Sequence, residues 1–233
     1  MRQNPPMSLE SLRMASPVGE LRIVVSGAGV VAILWANERK LRVRFSEELE
    51  PVDRPSAVCA QAVEQLSQYF DGSRQEFTLP LDLRGTPFQI TVWRALATIP
   101  YGQMASYKQQ AQRIGSPTAV RAVGAANGCN PLSIVLPCHR VIGSDGSLTG
   151  FAGGLDAKRA LLEFELRVSM GDQTPMAPVT PLRGGRVRKR GGQPGFPTPT
   201  CPRSAVEDFD PETLVALTLR LGLVDSDAPD LTR

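Results

Sequence analysis

Apolar residues along this chain follow two rhythms, and the change between them organises it. Early on they cluster in short runs between glycines: Gly19 to Val25, a Ser26-Gly27-Ala28-Gly29 turn, then Val30 to Trp35. β-Branched runs separated by a glycine-rich turn predict a β-hairpin. From Ser56 the spacing becomes that of one helical face, with Val58, Ala62, Leu66 and Phe70 in line and Asp71-Gly72 as the stop. Phe77 to Leu83 reads as a further strand, at an edge because Pro80 has no amide hydrogen to give. Residues 1–13 are expected to be loosely ordered. Nothing in this small α/β region points to chemistry, and Cys59, near the helix's apolar stripe, reads as core.

A run of helices follows. Thr86-Pro87-Phe88-Gln89 has a capping threonine, a proline at the first helical position and a glutamine that completes a capping box. Phe88, Val92 and Leu96 line one face until Ile99-Pro100 ends the helix. Ser106-Tyr107-Lys108-Gln109 repeats the capping pattern and starts a helix that stops at Gly115. Ser116-Pro117 opens the next, which carries Val120, Arg121 and Val123. Two short helices around a tight glycine turn make a helix-turn-helix candidate, although many helical hairpins bind nothing. The second of them is full of small residues: Ala119, Ala122, Gly124, Ala125, Ala126 and Gly128. Each helical glycine costs about 1 kcal/mol relative to alanine. Two explanations stand: close helix packing, or entry into a narrow space such as the DNA minor groove.

Leu132 to Leu136 is a short apolar run, followed by Pro137-Cys138-His139-Arg140-Val141 and a glycine-rich loop from Gly143 to Gly154. No Gly-Lys-Ser/Thr follows, so the loop is not a phosphate loop; its glycines let backbone approach a flat ligand. Leu155 to about Val168 is amphipathic, with Leu155, Leu161, Leu162 and Leu166 expected to face inward and Glu165 near that stripe. Beyond Val168 the periodicity is lost. Residues 171–203 are dense in Pro, Gly, Thr and Arg, the composition of a linker or disordered segment. Arg183, Arg186, Arg188, Lys189 and Arg190 crowd together there, and Asp210-Pro211-Glu212 starts a short leucine-bearing helix.

Composition narrows the class. With 233 residues and 42% hydrophobic content the chain has room for one or two ordinary globular domains. No apolar run is long enough for a membrane span, and the first residues lack a signal-peptide core. A net charge of +3 permits nucleic-acid binding without arguing for it. Cys59, Cys129, Cys138 and Cys201 are scattered, with no Cys-x-x-Cys and one histidine in all. That excludes the usual zinc cages and suits a reducing compartment, the cytosol.

A cysteine attacks as its thiolate, which a neighbouring base or cation favours. His139 is the only imidazole and stands next to Cys138. On an extended strand the two side chains would point apart, so contact would need a turn or a bridging water. A chance pairing on a buried strand explains the dipeptide alone equally well.

The residues around it carry more. Asn130-Pro131, Ile134 through Ile142, Gly150-Phe151-Ala152-Gly153-Gly154-Leu155 and Lys158 together closely resemble the active-site signature of the O6-alkylguanine-DNA alkyltransferases. The similarity runs from about Thr86 to Leu166, and more weakly back to Met14. It implies an α/β protein: a small N-terminal ribonuclease H-like α/β domain over 14–84, then a mostly helical domain with the helix-turn-helix over 85–168. A disordered tail, a linker and a short helix, fills 169–233. The implied activity is single-turnover transfer of an alkyl group from O6 of guanine, or O4 of thymine, in duplex DNA to Cys138. The flipped base costs a few kcal/mol to extrude.

By the same resemblance His139 and Glu165 accept the thiol proton through a water and Asn130 braces the turn. Arg121 fills the gap left in the stack, and Tyr107 helps rotate the nucleotide. Ala119, Ala122 and Asn127 join them on the DNA, in the minor groove. Val141, Phe151, Ala152 and Gly153 hold the base. No cofactor or metal is implied, and the protein is expected to act as a monomer. Phe151 and Ala152 stand where some relatives carry tyrosine and serine, which removes two hydroxyl contacts. The zinc ligands of some relatives are missing too. Two rivals remain: a Cys-His-Glu hydrolase, which would turn over repeatedly, and a non-catalytic damage binder, against which the presence of Cys138 speaks.

Overall fold

The computed structural model describes residues 8–36, 43 and 45–179. Four strands form one sheet: β1 (Leu9–Met14), β2 (Leu21–Val25), β3 (Val30–Trp35) and β4 (Leu49–Pro51). Their order is β3-β2-β1-β4, antiparallel except where β1 meets β4. The predicted hairpin is β2–β3, with Leu21 opposite Trp35 and Ile23 opposite Ile33. Strand β1 corrects the expectation of a loose start. Leu9, Ser11 and, more partially, Leu12 are covered, and the pairing with β2 and β4 supplies the backbone partners that a short polar-looking segment lacks by itself.

Helix α1 (Ala57–Phe70), capped by Ser56, crosses the sheet and buries Cys59, Ala62, Leu66, Tyr69 and Phe70. Burial pushes the Cys59 thiol up to about 12, so this cysteine is inert core. The segment from Phe77 to Leu83 is extended but makes one parallel bridge, Leu81 to Val30, rather than a strand. Pro80 lends its carbonyl to the Val30 amide at 2.8 Å and has nothing to return.

Helix α2 (Pro87–Leu96) has the predicted capping box on Thr86. Phe88 is exposed, however, and Trp93 takes the inward place, with its indole N–H on the Ala126 carbonyl at 2.8 Å. Strand β5 (Ala105–Ser106) leads into α3 (Tyr107–Arg113), again with a capping box, and α4 (Val120–Gly128) follows after a turn at Gly115, whose φ is +69°. Strand β6 (Val141–Ile142) pairs in parallel with β5. Helix α5 (Gly154–Ser169) packs against the turn that precedes β6. On α5, Leu155 and Leu166 are exposed, contrary to expectation; Ala157, Lys158, Leu161, Leu162, Phe164, Glu165 and Val168 are buried. The inward stripe is rotated by about one position because two charged residues belong to it.

The ordered body does not stop at Val168. Met176 is buried in the main core, its amide bonded to the Phe70 carbonyl at 2.9 Å, and the Val179 amide reaches Pro17 O at 2.7 Å. Residues 171–179, read as linker from their composition, are thus laid along the body. The Arg183–Arg190 run and the segment after Asp210 lie outside the described residues.

Candidate active site

Among the described residues, 130–142 form the longest unbroken buried stretch. Asn130 folds it: its Oδ1 accepts from the Leu132 amide at 3.0 Å and its Nδ2 donates to the Leu136 carbonyl at 2.7 Å. Ile134 is held at φ +74°, a region that β-branched residues rarely enter. Such a conformation persists only when its surroundings over-determine it. Strand β3 supplies that constraint, since Ile33 N donates to Pro131 O at 2.9 Å and the Trp35 indole to Ser133 Oγ at 3.0 Å.

Pro137 then sends the chain into a single 3₁₀ turn, Cys138–Arg140. Cys138 is therefore not on a strand, and the turn removes the alternation that would have separated it from His139. All three side chains are buried.

Glu165 is the hub behind them. It is wholly buried, and its Oε1 accepts from Tyr69 Oη at 2.7 Å, His139 Nε2 at 2.8 Å and Arg140 Nη2 at 3.0 Å. Its Oε2 accepts from Arg140 Nε at 2.8 Å and the Gly102 amide at 3.2 Å. Burial alone would raise this carboxyl, yet His139 and Arg140 outweigh it and hold it far below the usual carboxylate range. Burial, first of all, lowers His139; Glu165 opposes that, while Arg140 and Lys158 add to it. The pair is thus an ionised carboxylate and a neutral imidazole. Because Nε2 donates to Glu165, the lone pair sits on Nδ1, which is buried without a protein partner.

Lys158 is a further buried charge, beside Glu165 and Arg140. Its Nζ donates to Val141 O at 2.6 Å and Thr149 O at 2.8 Å, tying β6 to the glycine-rich loop. Burial pushes it down to about 8, against an upward pull from Cys138. Phe151 sets its ring edge-on to Trp35 (5.4 Å) and to His139 (6.3 Å). Gly153 must be glycine, since a Cβ there would lie 2.7 Å from the Trp35 indole.

Outside this pocket, α4 turns Arg121, Ala122, Ala125 and Gly128 outward. A Cβ added at Gly128 would meet nothing within 4 Å, so close helix packing does not explain the small residues on this face. Asn127 corrects an expectation. It faces inward, with its Nδ2 on Gln110 Oε1 at 2.7 Å and its Oδ1 accepting from Gln110 Nε2 at 3.3 Å. Its side chain is buried and joins α3 to α4 rather than facing outward with Arg121 and Ala122.

Two family profiles match this architecture: "6-O-methylguanine DNA methyltransferase, ribonuclease-like domain" over residues 13–83, and the DNA binding domain of the same family over 87–167. The methylated-DNA–protein-cysteine methyltransferase of Mycolicibacterium paratuberculosis is 59% identical over 161 residues, 66% of this chain and 97% of that one. Its counterpart in Mycobacterium tuberculosis is 46% identical over 159 residues, 68% and 93% of the two chains. The chain belongs to the 6-O-methylguanine DNA methyltransferase family. A crystal structure of the M. tuberculosis OGT protein in complex with DNA superposes with a TM-score of 0.61 at 43% identity, covering 71% of this chain and 95% of that one.

Within this family frame, the structure brings Cys138, His139, Glu165 and Asn130 together, with Val141, Phe151 and Gly153 beside them. Val141 is already engaged on both sides, its amide by Cys138 O and its carbonyl by Lys158. Tyr107 is half-buried, its hydroxyl accepting a 3.4 Å contact from Thr149 Oγ1, and Ala152 is exposed. Ala119, half-buried, precedes α4 as its uncapped N-terminal residue. Sequence reasoning missed Tyr69, Trp35 and the roles of Arg140 and Lys158. A signal for one existed: Lys158 and Glu165 stand seven residues apart, on the face of Leu161 and Leu162. Tyr69 had none, because it reads as one more aromatic on a core helix. Among the described residues no group of three His, Cys, Asp or Glu could hold a metal ion, and no helix is long and apolar enough to cross a membrane.

Proposed function

We propose that this protein repairs alkylated DNA by direct reversal, taking the alkyl group from O6 of guanine onto Cys138 Sγ. The observation that carries this reading is the relay built behind the cysteine: a neutral His139 whose Nε2–H is bound by an ionised, fully buried Glu165. Nδ1 accepts the thiol proton through a water, the thiolate attacks the alkyl carbon, and the C–O6 bond breaks. The departing base takes up a proton and finishes as guanine. The product is a thioether. No general base hydrolyses a thioether as it would a thioester, so each molecule acts once.

Arg121 and Tyr107 serve extrusion of the damaged nucleotide, and α4 enters the minor groove with its face of Ala122, Ala125 and Gly128. The small side chains on an exposed face support this, as does the DNA complex formed by the M. tuberculosis relative. Phe151 and the backbone of residues 151–153 form one wall of the base pocket. The protein works as a monomer in the cytoplasm.

Incubation with duplex DNA containing O6-methylguanine, followed by peptide mass spectrometry, tests the reading. One added methyl group is expected on the Cys138 peptide, and Cys138→Ser removes it. Many turnovers per molecule would instead identify a hydrolase.

A further inference from the structure

The N-terminal domain reaches into the relay through one side chain. Tyr69, near the end of α1, is fully buried, and its ring packs edge-on against Phe70, Tyr101 and Phe164 and tilted on Phe77. Aromatic packing of this kind would hold a phenylalanine equally well. The hydroxyl is what packing does not require, and it is aimed at Glu165 Oε1, 2.7 Å away. That is the oxygen on which His139 Nε2 rests, at 2.8 Å.

We infer that Tyr69 is a positioning residue for alkyl transfer: its hydroxyl fixes the Glu165 oxygen that orients His139 and limits the basicity of that imidazole. The inference rests on the alkyl-transfer reading above and deepens it.

The physical basis is competition for one oxygen. Each donor that Oε1 accepts drains charge from it and weakens its hold on the His139 proton. Glu165 faces His139, Arg140, Tyr69 and Tyr101; His139 faces Glu165, Arg140 and Lys158. The two cations favour neutral imidazole and the carboxylate opposes them. Removing the hydroxyl leaves Arg140 and Gly102 to hold Glu165 in place but makes Oε1 more negative. His139 then keeps its proton to higher pH and is a poorer acceptor at neutrality. The Tyr69 hydroxyl itself stays protonated, because burial first and the Glu165 charge next push it well above its ordinary range.

The test is the pH profile of Cys138 modification in Tyr69→Phe and in the unaltered protein, with two reagents: free O6-benzylguanine and iodoacetamide. The acid limb is expected to move up by roughly half a pH unit. The rate below the limb should fall about threefold, with the alkaline plateau little changed. A difluorinated tyrosine at position 69 is a stronger donor and should move the limb the other way, which decides the matter even if Tyr69→Phe folds poorly. An unmoved limb, or a uniform loss at every pH, would reduce Tyr69 to core packing. If the unaltered protein takes no alkyl group from the base yet iodoacetamide shows the shift, the repair reading falls while the Tyr69–His139 coupling stands.

Discussion

Glu165 concentrates the energetics of the site in one side chain. A buried carboxylate with five donors is stable only while its cation is present. Arg140→Ala should leave it unpaired and cost about 3–5 kcal/mol, read as a lower denaturant midpoint. Glu165→Gln removes the charge while keeping the shape, and strands Arg140 instead. Alkyl transfer should slow about 100-fold, the lower range for a positioned base, with DNA affinity nearly intact. An unchanged rate would return Glu165 to a purely structural role. The pair also predicts how stability varies with pH. The unfolded chain protonates its histidine near pH 6.5, whereas the folded protein keeps His139 neutral, so the unfolded state binds more protons below that value. Stability is therefore full above about pH 6.5 and declines as pH falls, by at most about 1.4 kcal/mol per unit from this group. Glu165, depressed in the fold, adds its own loss as pH falls below the ordinary glutamate range. Urea unfolding at pH 7.5 and 5.5 measures the slope, and His139→Gln should flatten its upper part.

At the scale of elements, α4 separates binding from folding. Its inner face carries Val123, Ala126 and Asn127, and its outer face carries only Arg121 and small residues. A Cβ at Gly128 would meet nothing within 4 Å, and Ala122 and Ala125 are exposed. Ala125→Leu should thus leave stability within about 0.5 kcal/mol while sharply weakening duplex binding, if this face enters a groove only about 6 Å wide. Fluorescence anisotropy with labelled duplex, set beside thermal melting, reads both. Arg121→Ala should impair reaction with duplex DNA more than with the free base, since a free base needs no extrusion. Equal losses would place Arg121 in the chemistry. Asn127→Ala is expected to act in the opposite way, lowering stability through Gln110 rather than affinity through DNA.

The whole molecule is bound together more tightly than its two family domains suggest. Strand β3 holds the cysteine turn, Tyr69 reaches Glu165, and residues 171–179 return to the sheet domain at Phe70 and Pro17. Ending the chain after Val168 should therefore cost stability, about 2 kcal/mol for the Met176 side chain alone. Ending it after Val179 should not. The second truncation also removes the basic run from Arg183 to Arg190. It should leave the reaction of Cys138 with free base unchanged and flatten the salt dependence of duplex binding, by about 0.9 in slope for each phosphate the run neutralises. An identical slope would make that run a spectator.

What the sequence determined by itself is local chemistry. The caps at Thr86 and Ser106 and the glycine stops after α1 and α3 depend on neighbours three or four positions away, and each lies where the residues predicted. The Cys138-His139 pair, Asn130 and the glycine-rich loop were legible in another way, as one nearly continuous run that resembles a family signature; the Cys-His dipeptide alone left the question open. What only the tertiary structure decided are properties set by distant partners. Whether Asn127 meets DNA or Gln110, whether Leu166 or Glu165 turns inward, and whether residues 9–14 and 171–179 are ordered all depend on surfaces brought up from elsewhere in the chain. Helical periodicity locates a stripe only to within about a residue, and here two charges belong to it. A lysine and a glutamate enter a core only where carbonyls, an arginine, a histidine and a tyrosine already await them, and no local pattern announces those partners. Tyr69 is the extreme case: 96 residues from Glu165 in sequence, it is joined to it by one hydrogen bond that folding alone creates.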